Sequence, residues 1–354
     1  MSSPLRAALI CAVGMGMAGG DAIATDFCVS TSAGLTQALA VAGSNNADDV
    51  IRVQTGVYRS AQSSGFTANH SGSSLEISGG WSSSCLFRAR GSRSTIDGEY
   101  QRPALRLQGN VTGAVSARVA HLSILRGVGV ETGGLTVTYS GSGSLSVEIE
   151  DNRIQDNTQT LPEDAIGGGL FVVAHRVSVF GNVFTENHSA NFDGAGALVC
   201  FGALGAFTNN TVVRNTARFG QSSVRGGISL SGTCLWEVAN NILWDNEGFD
   251  LKIDDDEVTL RNNNVDDLDG MPTSGSSGNI NVDPQFFSVG ILRLTRASPL
   301  VDAGFNETLL GLPLRSFDGG IRVAGPRIDV GAYELDVLFE SGFDPAFSIG
   351  APVD

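Results

Sequence analysis

Four charged residues recur at the same place in a repeated sequence pattern. Each stands directly before an asparagine: Asp156, Glu186, Arg214 and Asp245. If the repeat units stack, these side chains form one column of three carboxylates and one guanidinium. Carboxylates that hold Ca²⁺ against an acidic sugar, beside a basic group that removes a proton, are the chemistry of polysaccharide lyases. The column is therefore the catalytic candidate of this chain.

Two other interpretations of the same column stay open. Paired carboxylates roughly 6.5 to 9.5 Å apart, which a two-rung spacing could provide, are what an inverting glycoside hydrolase needs. Alternatively, Arg214 only relieves the repulsion between stacked acids on a solvated face, where each pair contributes at most about 1 kcal/mol. We favour this structural interpretation over the catalytic ones.

Loops that precede glycine-containing segments carry candidates for a binding site. The charged residues of this set are Glu163, Asp164, Asp193 and Arg225. Long loops on one side of a stacked fold are where binding sites form. His175 and His188 are near these loops in sequence. We expect both to be surface or hydrogen-bonded side chains, because neither has metal-ligand spacing with a cysteine.

The densest acidic patch offers a metal candidate, and its core is Asp254, Asp255 and Asp256. Oxygen-rich clusters suit Ca²⁺, so the patch predicts a Ca²⁺ site or a solvated turn. The spacing is not that of an EF-hand or of a nonapeptide Ca²⁺ repeat. We favour the solvated turn, and Ca²⁺ is the one cofactor for which the sequence offers candidates.

The elements that must position these residues are visible as an internal repeat. Its first asparagine recurs with spacings of 30, 28, 31 and 22 residues, at Asn152, Asn182, Asn210, Asn241 and Asn263. A second asparagine follows five residues later in four copies: Asn157, Asn187, Asn215 and Asn246. We predict that the asparagines are structural and hydrogen-bond along the stack as a ladder.

Each copy alternates apolar and polar residues and then turns at asparagine, which is typical of a short strand with one buried face. Such a unit cannot close its own core, so the units must stack. The sequence predicts an all-β fold, a single-stranded right-handed parallel β-helix. Its handedness follows from the rule for parallel crossover connections. Leu35, Leu39 and Ala42 share one face of a predicted capping helix near 33–42, which covers the open front end.

The first residues and the overall charge predict an exported protein. Residues 1–24 resemble a secretory signal peptide, with Arg6, an apolar stretch and a small-x-small site at 22–24. A net charge of -15 over 354 residues argues against nucleic acid as a partner. No later stretch reaches the roughly 18 apolar residues that a membrane-spanning helix needs.

Four cysteines follow the predicted signal peptide: Cys28, Cys85, Cys200 and Cys234. An even count in an oxidising compartment predicts two disulfides. Three connectivities are possible. We favour Cys28 with Cys85 and Cys200 with Cys234, because each rung of a stacked fold touches mainly its neighbours.

The C-terminal part carries four ordered motifs, at 282–286 (VDPQF), 297–304 (ASPLVDAG), 318–322 (DGGIR) and 329–334 (DVGAYE). With the front segment, they resemble bacterial right-handed β-helix proteins of the choice-of-anchor Q type, which are distantly akin to pectate lyase-like proteins. The resemblance implies one β-helix domain over 25–335 with a C-terminal module at 279–335. A tail at 336–354 follows. The family has no common reaction, so fold analogy supplies no chemistry.

These observations lead to two functional hypotheses of different classes. The leading one is an exported, non-enzymatic surface or extracellular β-helix for adhesion or glycan binding. The alternative is an enzyme that acts on an acidic polysaccharide, either a Ca²⁺-assisted lyase or a glycoside hydrolase. In both cases the expected partner is a polysaccharide or a cell-surface glycan.

Overall fold

Short strands with one buried face stack in parallel along the chain. The computed structural model describes residues 24–70, 72–161, 167–218, 224–254 and 257–335. Each turn of the chain adds a strand to a first sheet, then to a second sheet and then to a third sheet. In four of the turns, a strand of a short sheet lies between the second and the third sheet. The next turn begins again in the first sheet. The fold is the parallel β-helix that the repeat predicts.

The strands of each sheet pair in parallel with the turns before and after them. The first sheet comprises Thr25–Val29, Asp49–Gln54, Leu75–Trp81, Ala114–Ala120, Ser144–Glu150, Arg176–Phe180, Leu204–Thr208, Leu235–Ala239 and Val258–Arg261. The second comprises Val57–Tyr58, Ser94–Asp97, Leu122–Leu125, Arg153–Gln155, Val183–Thr185, Thr211–Val213, Ile242–Trp244 and Asn264–Val265.

The third sheet comprises Phe66–His70, Leu105–Asn110, Leu135–Ser140, Leu170–Ala174, Gly196–Cys200, Ile228–Gly232, Leu251–Ile253 and Leu268–Asp269. The short sheet comprises Val128–Gly129, Thr158–Gln159, His188–Ser189 and Thr216–Ala217. An antiparallel hairpin of Phe286–Ser288 and Ile291–Leu294 follows the last turn. We call the bend between first and second sheets the first corner, and the bend after the second sheet the second corner.

The predicted capping helix is confirmed as Ser32–Ala42. The Thr31 side chain accepts a hydrogen bond from the Gly34 amide at 3.0 Å and so caps the helix N-terminus. The helix buries Leu35, Ala38, Leu39 and Ala42. A strand that the sequence did not predict, Thr25–Val29, precedes the helix and pairs with Asp49–Gln54.

The predicted asparagines form a buried ladder at the first corner. The side-chain Nδ2 of each donates to Oδ1 of the next at 2.9–3.1 Å, and the same oxygen accepts the backbone N–H of the previous asparagine. The ladder continues one step further than the repeat indicates, because Asn263 donates to Asn279. Paired amides at every step leave no buried donor of this row unsatisfied.

A second ladder runs through Asn157, Asn187, Asn215 and Asn246 at the second corner. It ends on a carboxylate, since the Asn246 backbone N–H donates to Asp250 Oδ1 at 3.2 Å. Burial raises the pKa of Asp250 to about 6, although hydrogen bonds from Asn246 and Asp267 act in the opposite direction. The second ladder therefore ends on a carboxyl group that is protonated more readily than an ordinary aspartate.

The C-terminal module folds back over the outside of the β-helix. It forms a second hydrophobic core with the outward side chains Val183, Val213 and Ile242 of the second sheet. Asn240 at the first corner pairs with Phe305 in both directions, at 2.9 Å to the carbonyl and 2.6 Å from the amide. The module therefore covers the outer face of the second sheet and reaches around the first corner.

Both disulfides join the cysteines that we favoured. Cys28 bonds to Cys85 and Cys200 bonds to Cys234, with sequence separations of 57 and 34 residues. Disulfides persist in oxidising compartments, so they suit an extracellular protein.

Two predicted segments lie outside the described residues. These are the signal peptide, apart from its last residue, and the tail at 336–354. Within the described ranges, no helix is long and apolar enough to cross a membrane.

Candidate functional site

The four candidate catalytic residues occupy one position of the second corner on successive rungs. Asp156, Glu186, Arg214 and Asp245 all adopt left-handed backbone geometry, with φ of 58°, 59°, 55° and 55°. The residues directly before them are paired in register, Gln155 with Thr185, Thr185 with Val213 and Val213 with Trp244. We call these four residues the corner column.

The two acids at the front of the corner column are held by neighbouring side chains. The Tyr100 hydroxyl donates to the Asp156 carboxylate. Gln155 Nε2 donates to Glu186 Oε2 at 2.8 Å, and the Arg214 guanidinium lies 3.8 Å from the other oxygen of Glu186. Each of these acids therefore has a polar partner, and Glu186 has two.

Exposure differs along the corner column. The Glu186 side chain is 47% exposed and that of Arg214 is 24% exposed, while Asp245 is also exposed. Arg214 additionally donates to Thr185 Oγ1 at 3.2 Å. Exposed charges of this kind are available to a ligand that lies along the corner.

Polar side chains flank the corner column on the short sheet. Thr158, His188 and Thr216 are in register on successive rungs, and their side chains are partly or fully exposed. His188 Nδ1 lies 2.9 Å from the Thr216 hydroxyl. On the opposite flank, Trp244 is half-buried against the second hydrophobic core. The surface thus offers hydroxyls, an imidazole and an indole beside the charges.

Sequence reasoning missed a fifth member of this position. Arg126 has φ of 53° at the second corner one rung before Asp156, and its amide donates to the Gln155 carbonyl. Arg126 Nε donates to Asp97 Oδ1 at 3.1 Å, and Arg126 Nη2 donates to Asp97 Oδ2 at 2.5 Å. Burial raises the pKa of Asp97, but the hydrogen bonds from Arg126, the Glu99 amide and Arg59, with the charge of Arg126, together outweigh it, so the net pKa is lowered. The repeat does not reveal Arg126, because Gly127 stands where later copies have asparagine.

The predicted binding residues that the structure describes form an ion pair. Arg225 Nε lies 2.9 Å from Asp193 Oδ1, and the Arg225 guanidinium lies 4.7 Å from the centre of the Phe192 ring. Burial raises the pKa of Asp193 to about 6 despite the attraction of Arg225. Glu163 and Asp164, the other two predicted members, lie outside the described residues.

The one described member of the acidic patch is surrounded by bases. Asp254 lies 3.2 Å from Lys252 and 3.7 Å from Arg225, and Lys252 also contacts Asp269 at 2.8 Å. Alternating acids and bases are typical of a solvated face rather than of a Ca²⁺ site, which needs several oxygen ligands. Asp255 and Asp256 lie outside the described residues, so the metal hypothesis for this patch stays a prediction.

Comparisons with known proteins add the following findings. No family model matches the chain, and no curated protein matches it. A crystal structure of the pectate lyase Pel9A aligns with a TM-score of 0.37 and 15% sequence identity, over 81% of this chain and 88% of that chain. The function of this chain must therefore be inferred from its own side chains.

Proposed function

We propose that this protein is an exported, non-enzymatic β-helix that binds a glycan along the second corner. The observation that carries the proposal is the register of the corner column. Four charged side chains stand at one position of four successive rungs, with polar side chains beside them. An extended polymer with repeated hydroxyl groups can meet equivalent groups at each step of about 4.8 Å.

The exposure of the corner column supports binding over catalysis. Catalytic charges act best in a site that excludes water and holds them in place. Glu186 is nearly half exposed, and Asp245 is exposed. A charged side chain can hydrogen-bond a sugar hydroxyl without such burial. Hydrogen bonds to charged groups contribute about 1.5–3 kcal/mol each.

The charge of the corner column indicates which glycan it takes. Three carboxylates and one guanidinium leave an excess of negative charge, which repels uronic acids and sulfated sugars. A neutral or amino-bearing glycan meets no such barrier. The proposed ligand is therefore a neutral or amino-bearing polysaccharide on a cell surface.

A glycan array with the full chain tests this function. We expect selective binding of neutral or amino-bearing polymers, and Arg214→Gln should weaken it by about tenfold, the equivalent of one charge-assisted hydrogen bond. Arg176→Gln is the matched control, because Arg176 is exposed on the first sheet. No bound glycan on a broad array, or equal losses in both variants, contradicts the proposal.

One contact favours a second candidate, the Ca²⁺-assisted lyase. Glu186 and Arg214 stand on adjacent rungs 3.8 Å apart, so a carboxylate and a base are close together. The test is the release of unsaturated products from acidic polysaccharides, followed by ultraviolet absorbance with and without a chelator. Chelator-sensitive product release that Arg214→Gln abolishes would replace the binding proposal.

Assignment to the choice-of-anchor Q type is part of the same proposal. It is supported by the positions of its C-terminal motif residues, since Arg322 and Asp329 are buried inside the module that covers the second sheet. A purified outer-surface fraction that contains the protein would support surface association, and its recovery only from the medium would contradict it.

A further inference from the structure

Three potential metal ligands meet at the first corner, away from the corner column. His121 and Asp151 occupy the same corner position on neighbouring rungs, with φ of 54° and 51°. The His121 amide donates to the Glu150 carbonyl at 3.1 Å, which keeps the two rungs in register. One ligand atom from each of His121, Glu150 and Asp151 lies within 4.8 Å of the other two.

The separation of the imidazole and the buried carboxylate fits a shared ion. His121 Nδ1 lies 3.7 Å from Asp151 Oδ2, which is too long for a hydrogen bond. Two ligand atoms that each lie about 2.1 Å from a tetrahedral Zn²⁺ are roughly 3.4 Å apart. A small movement of either side chain therefore brings both atoms to coordination distance from one ion.

The buried Asp151 carboxylate has one oxygen without a hydrogen-bond partner. The residue is 3% exposed, and its Oδ1 atom has no hydrogen-bond partner. This oxygen lies above Gly181, where an added Cβ would come within 2.4 Å of it. A buried carboxylate oxygen without a partner is costly, and a cation is the partner that best offsets the cost.

The surrounding charges leave room for a cation. Arg118 divides its guanidinium among three acids, at 2.8 Å from Glu76, 2.6 Å from Glu148 and in contact with Glu150 Oε2. The bases Arg93, Arg322 and Arg88 also act on Asp151 through space, so four guanidinium groups match the four acids of this group. Glu150 nevertheless repels Asp151 more strongly than any one of these bases attracts it, and a cation between the two carboxylates would relieve this repulsion.

Arg93 does not bind the partnerless carboxylate oxygen of Asp151. Its Nε donates to the backbone carbonyl of Asp151 at 2.8 Å rather than to the carboxylate. Arg118 contacts Glu150 through Oε2. At Asp151, Oδ2 faces His121 and the other oxygen, Oδ1, has no hydrogen-bond partner.

We propose that His121, Glu150 and Asp151 bind a divalent transition-metal ion of the zinc type. An imidazole with two carboxylates suits such an ion, whereas Ca²⁺ takes six to eight oxygen ligands. The His121 side chain is 18% exposed, so the site opens to the surface. Three protein ligands leave one coordination position for water or an external oxygen ligand.

The proposed ion joins two neighbouring rungs at the edge of the C-terminal module. Arg93, which holds the Asp151 carbonyl, also donates to the Phe317 carbonyl in that module. Its guanidinium carbon lies 3.3 Å from the centre of the Phe317 ring. Metal binding at Asp151 should therefore stabilise the attachment of the module as well as the two rungs.

Zn²⁺ titration of the full chain after chelator treatment tests the site, with isothermal calorimetry as the readout. We expect one Zn²⁺ per chain, with at least tenfold weaker binding in His121→Asn and Asp151→Asn. Asparagine tolerates left-handed backbone geometry, so both substitutions keep the corner. His175→Asn is the control, since His175 is an exposed histidine on another corner.

Co²⁺ supplies a readout that does not depend on the variants. Wild-type protein should give the visible absorption of a four-coordinate Co²⁺ site, saturating at one equivalent, and Zn²⁺ should displace the Co²⁺. Zn²⁺ should also raise the thermal unfolding midpoint of the wild-type chain. Weak, non-saturating binding by the wild-type chain, or equal affinity in His121→Asn, overturns the proposal.

Discussion

The Arg322 guanidinium donates a hydrogen bond to Asn209 Oδ1 at 3.1 Å, across 113 residues of chain. Asn209 stands at the first corner of the β-helix, and Arg322 is buried inside the C-terminal module. The same guanidinium donates to the carbonyls of Gly331 at 2.6 Å and Tyr333 at 2.9 Å. One cation therefore organises the end of the module and fastens it to the rungs.

Arg322→Met should detach the module. The substitution leaves Glu334 and Asp329 buried without their cation, and such a loss costs about 3–5 kcal/mol in the free energy of unfolding. Arg322→Lys should recover little, because an ammonium cannot reproduce the planar fork of donors. Hydrogen exchange is the measurement, and amides of the module should exchange faster while those of the first sheet stay protected.

Arg327→Gln is the control for this prediction. Arg327 belongs to the same module and is exposed, so its substitution should leave exchange unchanged. Wild-type exchange rates in Arg322→Met would show that the buried guanidinium does not fasten the module.

Asn182→Ala should lower the free energy of unfolding by about 2–4 kcal/mol, because several buried partners lose their hydrogen bonds. Asn182 Oδ1 accepts from the Asn152 amide at 2.8 Å, and its Nδ2 donates to the Ile149 carbonyl at 2.8 Å. Chemical denaturation measures the change. Ser142→Ala, in an exposed turn, should have almost no effect, and equal stability of the two variants would contradict a structural ladder.

Glu334 should make the protein more stable in mild acid. Burial, with repulsion from Asp329, raises the pKa of Glu334 from 4.5 to about 7. Between these two values the folded state keeps a proton that the unfolded chain has lost, so the stability from this group is full below about pH 4.5 and declines as the pH rises towards 7. Burial raises the pKa of Asp193 and Asp250 to about 6, which acts in the same direction.

Thermal unfolding between pH 5 and pH 7.5 measures this dependence. Glu334→Gln removes one titrating group, so the unfolding midpoint should change less with pH than in the wild-type chain. A variant with an undiminished slope would show that Glu334 titrates normally in the folded state.

Replacing both Cys200 and Cys234 by serine should cost about 3–4 kcal/mol in the free energy of unfolding. The disulfide closes a loop with a sequence separation of 34 residues, and its loss restores that much chain entropy to the unfolded state. Non-reducing peptide maps of the wild-type chain should show Cys28 with Cys85 and Cys200 with Cys234. Any other pairing would contradict the order of the rungs.

The sequence predicted the rungs that carry asparagine, because a ladder needs the same residue type at each step. It predicted the earlier rungs poorly, since Leu122 stands at the ladder position and only its backbone amide joins the ladder, by donating to Asn152 Oδ1. The contact between Arg322 and Asn209 has no local signal. The same holds for His121 and Asp151, which are distant in sequence and lie close together only because their two rungs stack.

The position of the corner column could be predicted from the sequence, because each member precedes a ladder asparagine. The side chains that contact the column could not be predicted. Tyr100 reaches Asp156 from an earlier turn of the chain, and the half-burial of Trp244 depends on the C-terminal module. Exposure and partner choice depend on these distant contacts, so they appear only in three dimensions.

Because of the asparagine ladder, the alignment of the rungs does not depend on the length of the chain between them. Successive ladder residues are 30, 28, 31, 22 and 16 positions apart, yet each makes the same pair of hydrogen bonds with the next. Insertions and deletions in the connecting loops can therefore accumulate without a shift of the strands. Such a scaffold tolerates changes on its surface, and an engineer could exchange loops on it while keeping every asparagine in place.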